Sequence, residues 1–134
     1  LYKINKEKLV PMDINNAKIM ICDDSALARK QLEDVIHMVG NPVTFQATNG
    51  QEAIDIYKEK HPDMIFLDLI MPVVDGKDAL KEIIEFDPSA KVVIVSSIGT
   101  KEVLMETLKL GAREFIQKPF SELQIMNALY KSLK

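Results

Sequence analysis

Residues 19–24 read IMICDD and residues 64–68 read MIFLD, so two short apolar runs each end in aspartate. Continuously apolar runs of this length are typical of strands that are covered on both faces of a parallel sheet. Because neighbouring parallel strands end at the same edge, Asp23, Asp24 and Asp68 are expected to lie together there. Three adjacent carboxylates repel one another unless a cation neutralises them, and such oxygen ligands suit Mg²⁺. The two runs therefore predict a parallel sheet with a magnesium site at its edge.

The remainder of the chain alternates β-rich runs with helical patterns, which is typical of βαβ units. Strands are predicted near residues 18–22, 43–48, 63–68, 91–96 and 114–118, and helices near 25–38, 50–60, 76–86, 100–110 and 121–133. The first, third and fourth strands are the most apolar and should be interior, while the second and fifth are mixed and suit the edges. With right-handed crossovers, this predicts a doubly wound α/β fold whose five-stranded parallel sheet has the flavodoxin-like order 2-1-3-4-5.

Several residues at the predicted helix ends favour capping. Asp24 or Ser25 can cap the first helix, Thr100 stands at an N-cap position, and Ser121 with Gln124 forms a capping-box pattern. Two glycines, Gly40 and Gly111, follow helix ends, where a left-handed residue is common.

The composition excludes several classes of protein. The 134 residues suit one domain, and a net charge of −3 without a basic patch argues against a nucleic-acid partner. Cys22 has no second cysteine to pair with, which favours a reducing compartment. The sequence shows neither an apolar stretch long enough for a membrane span nor a signal peptide, so we expect a cytoplasmic protein with no membrane partner.

The first 17 residues differ from the rest, being Lys-rich and interrupted by Pro11. We expect residues 1–17 to be an N-terminal extension or linker and residues 18–134 to form the domain. A start at Leu1 is also compatible with a fragment of a longer protein.

Two further polar residues are expected at the same edge as the aspartates. Ser96 ends the fourth predicted strand and Lys118 ends the fifth. Taken singly, each residue has an ordinary explanation, since Asp24 can cap a helix, Asp68 can begin a turn, and Lys118 can be a solvated surface lysine. Their convergence from four strand ends is what indicates a functional site.

Phosphoryl transfer requires these types of residue. A carboxylate oxygen can attack phosphorus and form an acyl phosphate, and the transition state carries charge on three equatorial oxygens. A metal held by Asp23 and Asp24, the ammonium of Lys118 and the hydroxyl of Ser96 can stabilise that charge. Asp68 is then left as the nucleophile.

Four motifs carry a resemblance to a known family: CDDS at 22–25, DLIMPVVDG at 68–76, VSS at 95–97 and GAREFIQKPF at 111–120. Over residues 18–134 the chain resembles the receiver domain of two-component response regulators, and within that family the single-domain chemotaxis type. The 2-1-3-4-5 strand order is a known property of this family and is therefore not independent of the resemblance.

The resemblance implies a phosphorylation-activated signalling switch rather than an enzyme with a separate substrate. A histidine kinase would donate the phosphoryl group to Asp68, and the protein would assist its own phosphotransfer and dephosphorylation. The backbone carbonyl of Ile70 would be a further metal ligand, and the Lys118–Pro119 peptide would be cis. Ser96, which stands where threonine is commoner in the family, would form the switch with Phe115.

Output is expected through the face formed by the fourth helix, the fifth strand and the fifth helix, which would contact a downstream target protein. Val103, Leu104 and Met105 are consecutive on that helix and cannot all face one core, so at least one should be exposed. We select Leu104 as the exposed residue. Ile70 and Ile98, two positions past Asp68 and Ser96, should crowd the approach of water, so resetting is expected to need a partner phosphatase or reverse transfer.

Other classes of protein agree less well with the sequence. An aspartate-nucleophile phosphatase of the haloacid dehalogenase type has a second acid two residues after the nucleophile, where this chain has Ile70. A flavin-binding module of the same fold would have a Ser/Thr/Gly-rich phosphate loop where this chain has Asp23 and Asp24. A receiver that acts without phosphorylation would have lost a site residue, and none is missing. A receiver fragment of a larger regulator or of a hybrid kinase stays open.

Overall fold

The computed structural model describes residues 2–4, 9–11 and 13–133. In chain order the elements are β1 (Tyr2–Ile4), β2 (Leu9–Pro11), β3 (Lys18–Cys22), α1 (Ala26–Val39), β4 (Val43–Ala47), α2 (Gly50–Lys60), β5 (Met64–Leu67), α3 (Gly76–Phe86), β6 (Val92–Ser96), α4 (Lys101–Lys109), β7 (Glu114–Gln117) and α5 (Glu122–Leu133). No helix in the described part of the chain is long and apolar enough to span a membrane.

The main sheet has five parallel strands in the order β4-β3-β5-β6-β7. Counted from β3, this is the predicted order 2-1-3-4-5, and each predicted strand and helix is found within about one residue of its expected bounds. In the register of the sheet Cys22 lies opposite both Ala47 and Leu67, while Ser96 lies opposite Gln117. The strand ends are therefore aligned, and the residues that follow them meet at one edge.

Two apolar layers cover the faces of this sheet, because alternate residues of each strand point to opposite sides. Met20 and Cys22 belong to the layer that includes α2 and α3, whereas Ile19 and Ile21 belong to the layer that includes α1 and α5. All residues of β5 and β6 are buried, as predicted for interior strands. The strands that lead to Asp68 and Ser96 are thus packed against the core on both faces.

Residues before β3 also pack on this core. Ile14 is buried in the layer that includes α1 and α5, and the side-chain oxygen of Asn15 accepts a hydrogen bond from the Asn41 N–H at 2.7 Å. Packing thus begins a few residues before the expected boundary at residue 18. Residues 1, 5–8 and 12 of the predicted extension 1–17 lie outside the described residues, as does residue 134.

The helix ends confirm most of the capping predictions. Thr100 caps α4, and Ser121 and Gln124 exchange the two hydrogen bonds of a capping box. Gly111 has φ of 113°, a conformation that a side chain would strain. The prediction for Gly40 was wrong, since its φ of −176° is extended backbone that any residue adopts.

Ser25, not Asp24, caps the first helix. Its hydroxyl accepts from the Ala28 N–H at 3.2 Å. Because Ser25 caps α1, the Asp24 carboxylate is available for other contacts.

Candidate functional site

Three aspartates meet at the carboxyl edge of the sheet. One carboxylate oxygen from each of Asp23, Asp24 and Asp68 lies within 4.8 Å of the other two. The backbone hydrogen bonding of the sheet continues into this edge, since the Asp68 N–H donates to the Cys22 carbonyl at 2.9 Å and the Asp23 N–H to the Ala47 carbonyl at 3.1 Å. Asp23 and Asp68 are buried, with 1% and 6% of their surface exposed, whereas Asp24 is exposed.

Lys118 forms ion pairs with both buried aspartates. It follows β7, its backbone N–H donates to the Ser96 carbonyl at 2.8 Å, and the peptide bond to Pro119 is cis as the resemblance implied. Its Nζ lies 2.6 Å from Asp23 Oδ2 and 3.3 Å from Asp68 Oδ2. Burial lowers the pKa of Lys118, but the hydrogen bond that it donates to Asp23 and the charges of Asp68 and Asp23 outweigh the effect of burial and raise the pKa above its ordinary value. The ammonium therefore stays charged at neutral pH.

The donor set fits magnesium. With the carboxylates ionised, three negative charges face one ammonium, which leaves two negative charges for a divalent cation to balance. All the donors are oxygens, and the exposed side of Asp24 leaves room for the waters that Mg²⁺ retains. Asp23 Oδ1 accepts from the Ser25 N–H at 2.9 Å and Asp68 Oδ1 from the Ile70 N–H at 3.3 Å, so both buried carboxylates are already oriented.

The loop after Asp68 is shaped by close backbone contacts. A Cβ on Gly76 would lie 2.0 Å from the Asp68 carbonyl oxygen, so only glycine allows this approach. The Gly76 N–H donates to the Leu69 carbonyl at 2.9 Å. Val73, at the tip, is 80% exposed and has φ of +68°, which is unusual for a β-branched residue. The predicted role of the Ile70 carbonyl as a metal ligand stays a prediction.

Ser96 and Phe115 lie on neighbouring strands. Ser96 is buried at the end of β6, and its hydroxyl accepts from the Ile98 N–H at 3.4 Å. Phe115 is partly buried on β7, opposite Ile94. Because Ile94 and Ser96 are two positions apart, Ser96 and Phe115 belong to the same face of the sheet. Their proposed role as a switch stays a prediction.

Of the three consecutive apolar residues on α4, the exposed one is not Leu104. Met105 is 45% exposed, whereas Val103 and Leu104 are half-buried. Successive helical residues are about 100° apart, so with Val103 packed against the core, Leu104 lies at the boundary and Met105 faces solvent. The prediction that one of the three is exposed is confirmed, and the choice of Leu104 was wrong.

Arg29 contacts the site, and the sequence reasoning did not identify it. Its Nη1 donates to the Asp23 backbone carbonyl at 2.8 Å and its Nε to Gln46 Oε1 at 2.9 Å. The sequence signal that could have indicated this contact is the position of Arg29 in the first turn of the helix that follows Asp23. The partner on β4 could not be foreseen, because it depends on how that strand pairs.

Comparison with known proteins identifies the family of this chain. The response regulator receiver domain family matches residues 19–130, and the chain belongs to this family. It is 42% identical to the chemotaxis protein CheY of Thermotoga maritima over 117 residues, which cover 87% of this chain and 98% of that protein. It is 36% identical to the CheY of Bacillus subtilis, over 87% of this chain and 97% of that protein.

A solved structure with a similar fold is the CheX–CheY–BeF3–Mg²⁺ complex from Borrelia burgdorferi. The TM-score is 0.84 at 31% identity, and the match covers 88% of this chain and 90% of that one. The comparisons confirm the predicted family and fold.

Proposed function

We propose that this receiver domain accepts a phosphoryl group on Asp68, with Mg²⁺ bound by Asp23, Asp24, Asp68 and the Ile70 carbonyl. The observation that carries the proposal is the bridging ammonium of Lys118, which contacts the buried carboxylates of both Asp23 and Asp68. A lysine in that position reaches the nucleophile and the metal ligands at once. This is the arrangement that phosphoryl transfer requires.

In the proposed reaction an oxygen of Asp68 attacks phosphorus and forms an acyl phosphate. The bond between phosphorus and the leaving group breaks, and the leaving group keeps the electron pair. The Ile70 N–H and the Lys118 ammonium orient the two carboxylate oxygens before the attack. Lys118 can then contact a phosphoryl oxygen, and the Ser96 hydroxyl can contact another. When bound, Mg²⁺ would neutralise part of the phosphoryl charge.

We infer that the phosphodonor is a histidine kinase, as expected for a receiver. A groove of about 690 Å³ adjoins Lys118 and Ser97 and runs along α1, where Val35 and Met38 line it. Such a groove beside the phosphoacceptor supports the approach of a protein donor. The proposed transfer takes place in the cytoplasm, the compartment that the sequence favours.

The proposed output face comprises α4, β7 and α5, which would contact a downstream target protein. Exposed Met105 and Leu108 on α4 support a protein contact there. Resetting would depend on a partner phosphatase or on reverse transfer. The similar CheX–CheY structure is itself a complex with a second protein.

Intact-mass spectrometry after incubation with acetyl phosphate tests the proposal. The wild type should gain the mass of one phosphoryl group with MgCl₂ and none with EDTA. Asp68→Asn should gain none, whereas the control Asp78→Asn, at an exposed position on α3, should label like the wild type. Equal labelling of wild type and Asp68→Asn would overturn the assignment.

A further inference from the structure

We infer that Arg29 is a positioning residue for the magnesium site, because it fixes the peptide that joins Asp23 to Asp24. The inference rests on the proposed function, since it concerns the metal ligands named there. Arg29 would contact neither the metal nor the phosphoryl group. Its effect would pass through the Asp23 backbone carbonyl, to which its Nη1 donates at 2.8 Å.

The Asp23 N–H still donates to the neighbouring strand, whereas the Asp23 carbonyl accepts from Arg29. Asp23 lies between the end of β3 at Cys22 and the start of α1 at Ala26. The Asp23 carbonyl and the Asp24 N–H belong to one planar peptide unit, so a bond that fixes the carbonyl also fixes the direction in which the chain enters Asp24. Among the described residues no hydrogen bond holds the exposed Asp24 carboxylate. The backbone of Asp24 is therefore held on its N-terminal side by this peptide and on its C-terminal side by the bond from the Ser25 N–H to Asp23 Oδ1.

Arg29 is itself oriented by a hydrogen bond to the edge strand β4. Its Nε donates to Gln46 Oε1 at 2.9 Å, and the Gln46 amide donates in turn to Glu33. Glu33 also accepts from the Thr44 hydroxyl at 3.2 Å. The planar guanidinium is suited to such a role, because it directs two donors to two acceptors in fixed geometry. This series of hydrogen bonds thus connects α1, β4 and the Asp23 carbonyl.

Charge and positioning make opposite predictions for magnesium affinity. If Arg29 acts only as a nearby positive charge, it repels Mg²⁺, and its removal should tighten binding. If it positions the ligands, its removal should weaken binding despite the lost repulsion. Groups that orient metal ligands typically contribute about 10- to 100-fold in affinity. The sign of the change therefore separates the two roles.

The experiment is calorimetric titration of the phosphate-free protein with MgCl₂ alone. Arg29→Ala should bind Mg²⁺ about tenfold more weakly than the wild type. Arg29→Lys should recover part of the loss, since an ammonium can reach one acceptor but not both. Lys30→Ala is the matched control, because its ion pair is with exposed Asp34 on the same helix, and its affinity should equal that of the wild type.

Gln46→Ala tests the same series of hydrogen bonds without changing the charge of the protein. It should weaken Mg²⁺ binding, and the double variant with Arg29→Ala should be no weaker than Arg29→Ala alone, because both act through one carbonyl. Thermal unfolding without Mg²⁺ should show that the variants are folded. If Arg29→Ala does not fold, Gln46→Ala decides the question by itself.

Two outcomes would overturn the inference and are distinguishable. If the wild type binds Mg²⁺ and both Arg29→Ala and Gln46→Ala bind it as tightly or more tightly, the positioning role fails and the proposed function stands. If the wild type itself does not bind Mg²⁺, the proposed function fails as well.

Discussion

At the scale of single residues, the site combines groups that are held with groups that are exposed. Asp23 is held at its N–H, its carbonyl and both carboxylate oxygens. Asp68 is held by the Ile70 N–H and by Lys118. Ile70 and Ile98 are 50% and 37% exposed at the rim of the site. The proposed nucleophile, Asp68, is thus oriented in advance, and its access to solvent is bordered by apolar side chains.

The double change Ile70→Asn with Ile98→Glu should shorten the lifetime of the phosphorylated protein. The Ile70 N–H donates to Asp68 and the Ile98 N–H to Ser96, so both isoleucine side chains start beside the proposed phosphoacceptor. Neither isoleucine can orient a water, whereas the new amide and carboxylate can, and a polar group in such a role contributes roughly 10- to 100-fold or more in rate. Decay after removal of acetyl phosphate measures the effect, with Val73→Asn as a control in the same loop. Unchanged decay in the double variant would contradict the protective role.

Ser96 and Phe115 are expected to change conformation together when Asp68 is phosphorylated. The Ser96 hydroxyl should break its hydrogen bond with the Ile98 N–H and move to a phosphoryl oxygen. The Phe115 ring should then turn inward into the space that the hydroxyl has left. Such a change shifts an existing equilibrium by the contacts that the phosphoryl group adds. A crystal structure of the beryllofluoride complex measures both rotamers. Rotamers unchanged from the free protein would rule the switch out.

The sequence predicted the residues of the site but not the network that supports it. Asp23, Asp24, Asp68 and Lys118 could be found because strand ends align at one edge of a parallel sheet, so chain position alone predicts their convergence. The role of Arg29 could not be found in this way. Its bonds depend on side-chain reach between α1 and the neighbouring strand, which no periodicity encodes.

At the scale of elements, α4 is the helix least anchored in the core. Thr107 is its only buried residue, and the hydroxyl of that threonine bonds to the Leu104 carbonyl of its own helix. Its polar anchor to a neighbouring helix is the ion pair between Lys77 on α3 and Glu106. Elements with few buried apolar contacts open locally at low cost. This low anchoring suits a helix of the proposed output face.

Lys77→Ala should therefore accelerate amide hydrogen exchange in α4 while leaving global unfolding unchanged. The ion pair is exposed, so its loss should have little effect on the whole molecule but should release the helix that it tethers. Lys58→Ala is the control, because it removes an exposed ion pair between α2 and α3. Exchange in α4 that is equal in the two variants would contradict the tether.

Element bounds were predictable because capping residues and apolar runs are local signals. Thr100, Ser121 and Gln124 could be assigned from spacing alone. The exposure of Met105 rather than Leu104 could not, because the rotation of α4 about its axis is set by how Val103 packs. The left-handed conformation of Val73 was also unpredictable, since nothing local favours it in a β-branched residue.

At the scale of the whole molecule, α2 and α3 are joined far from the site by a hydrogen bond. The hydroxyl of buried Tyr57 donates to Asp87 Oδ2 at 2.5 Å. This bond, with those from Ser89, lowers the pKa of Asp87 below its ordinary value of 3.8. A depressed carboxyl pKa contributes stability that is present above pH 3.8 and lost as the pH falls through the folded-state value.

Tyr57→Phe should lower the free energy of unfolding at pH 7 by about 1 kcal/mol, because a single hydrogen bond is lost. The difference from the wild type should shrink as the pH falls below the ordinary pKa of Asp87, since a protonated carboxyl gains less from this donor. Urea unfolding at several pH values measures it. A difference that stays constant down to the lowest pH at which both proteins fold would contradict the Asp87 linkage.

The fold itself was predictable because short apolar runs alternate with amphipathic helices throughout residues 18–133. The packing of Ile14 against the core could not be predicted, because a single isoleucine in a polar segment shows no helical or strand periodicity. Sequence patterns thus give the scaffold and the reactive groups, while contacts between distant segments are found only in the structure.

The central claim is that Asp68 itself carries the phosphoryl group. Borohydride reduces an acyl phosphate to an alcohol, so treatment of the labelled protein should convert the modified aspartate to homoserine. Tandem mass spectrometry of the peptides then locates the change. We predict homoserine at position 68 alone, only when both acetyl phosphate and Mg²⁺ were present. Homoserine at Asp23 or Asp24, or at no position in a protein that gained phosphoryl mass, would contradict the account.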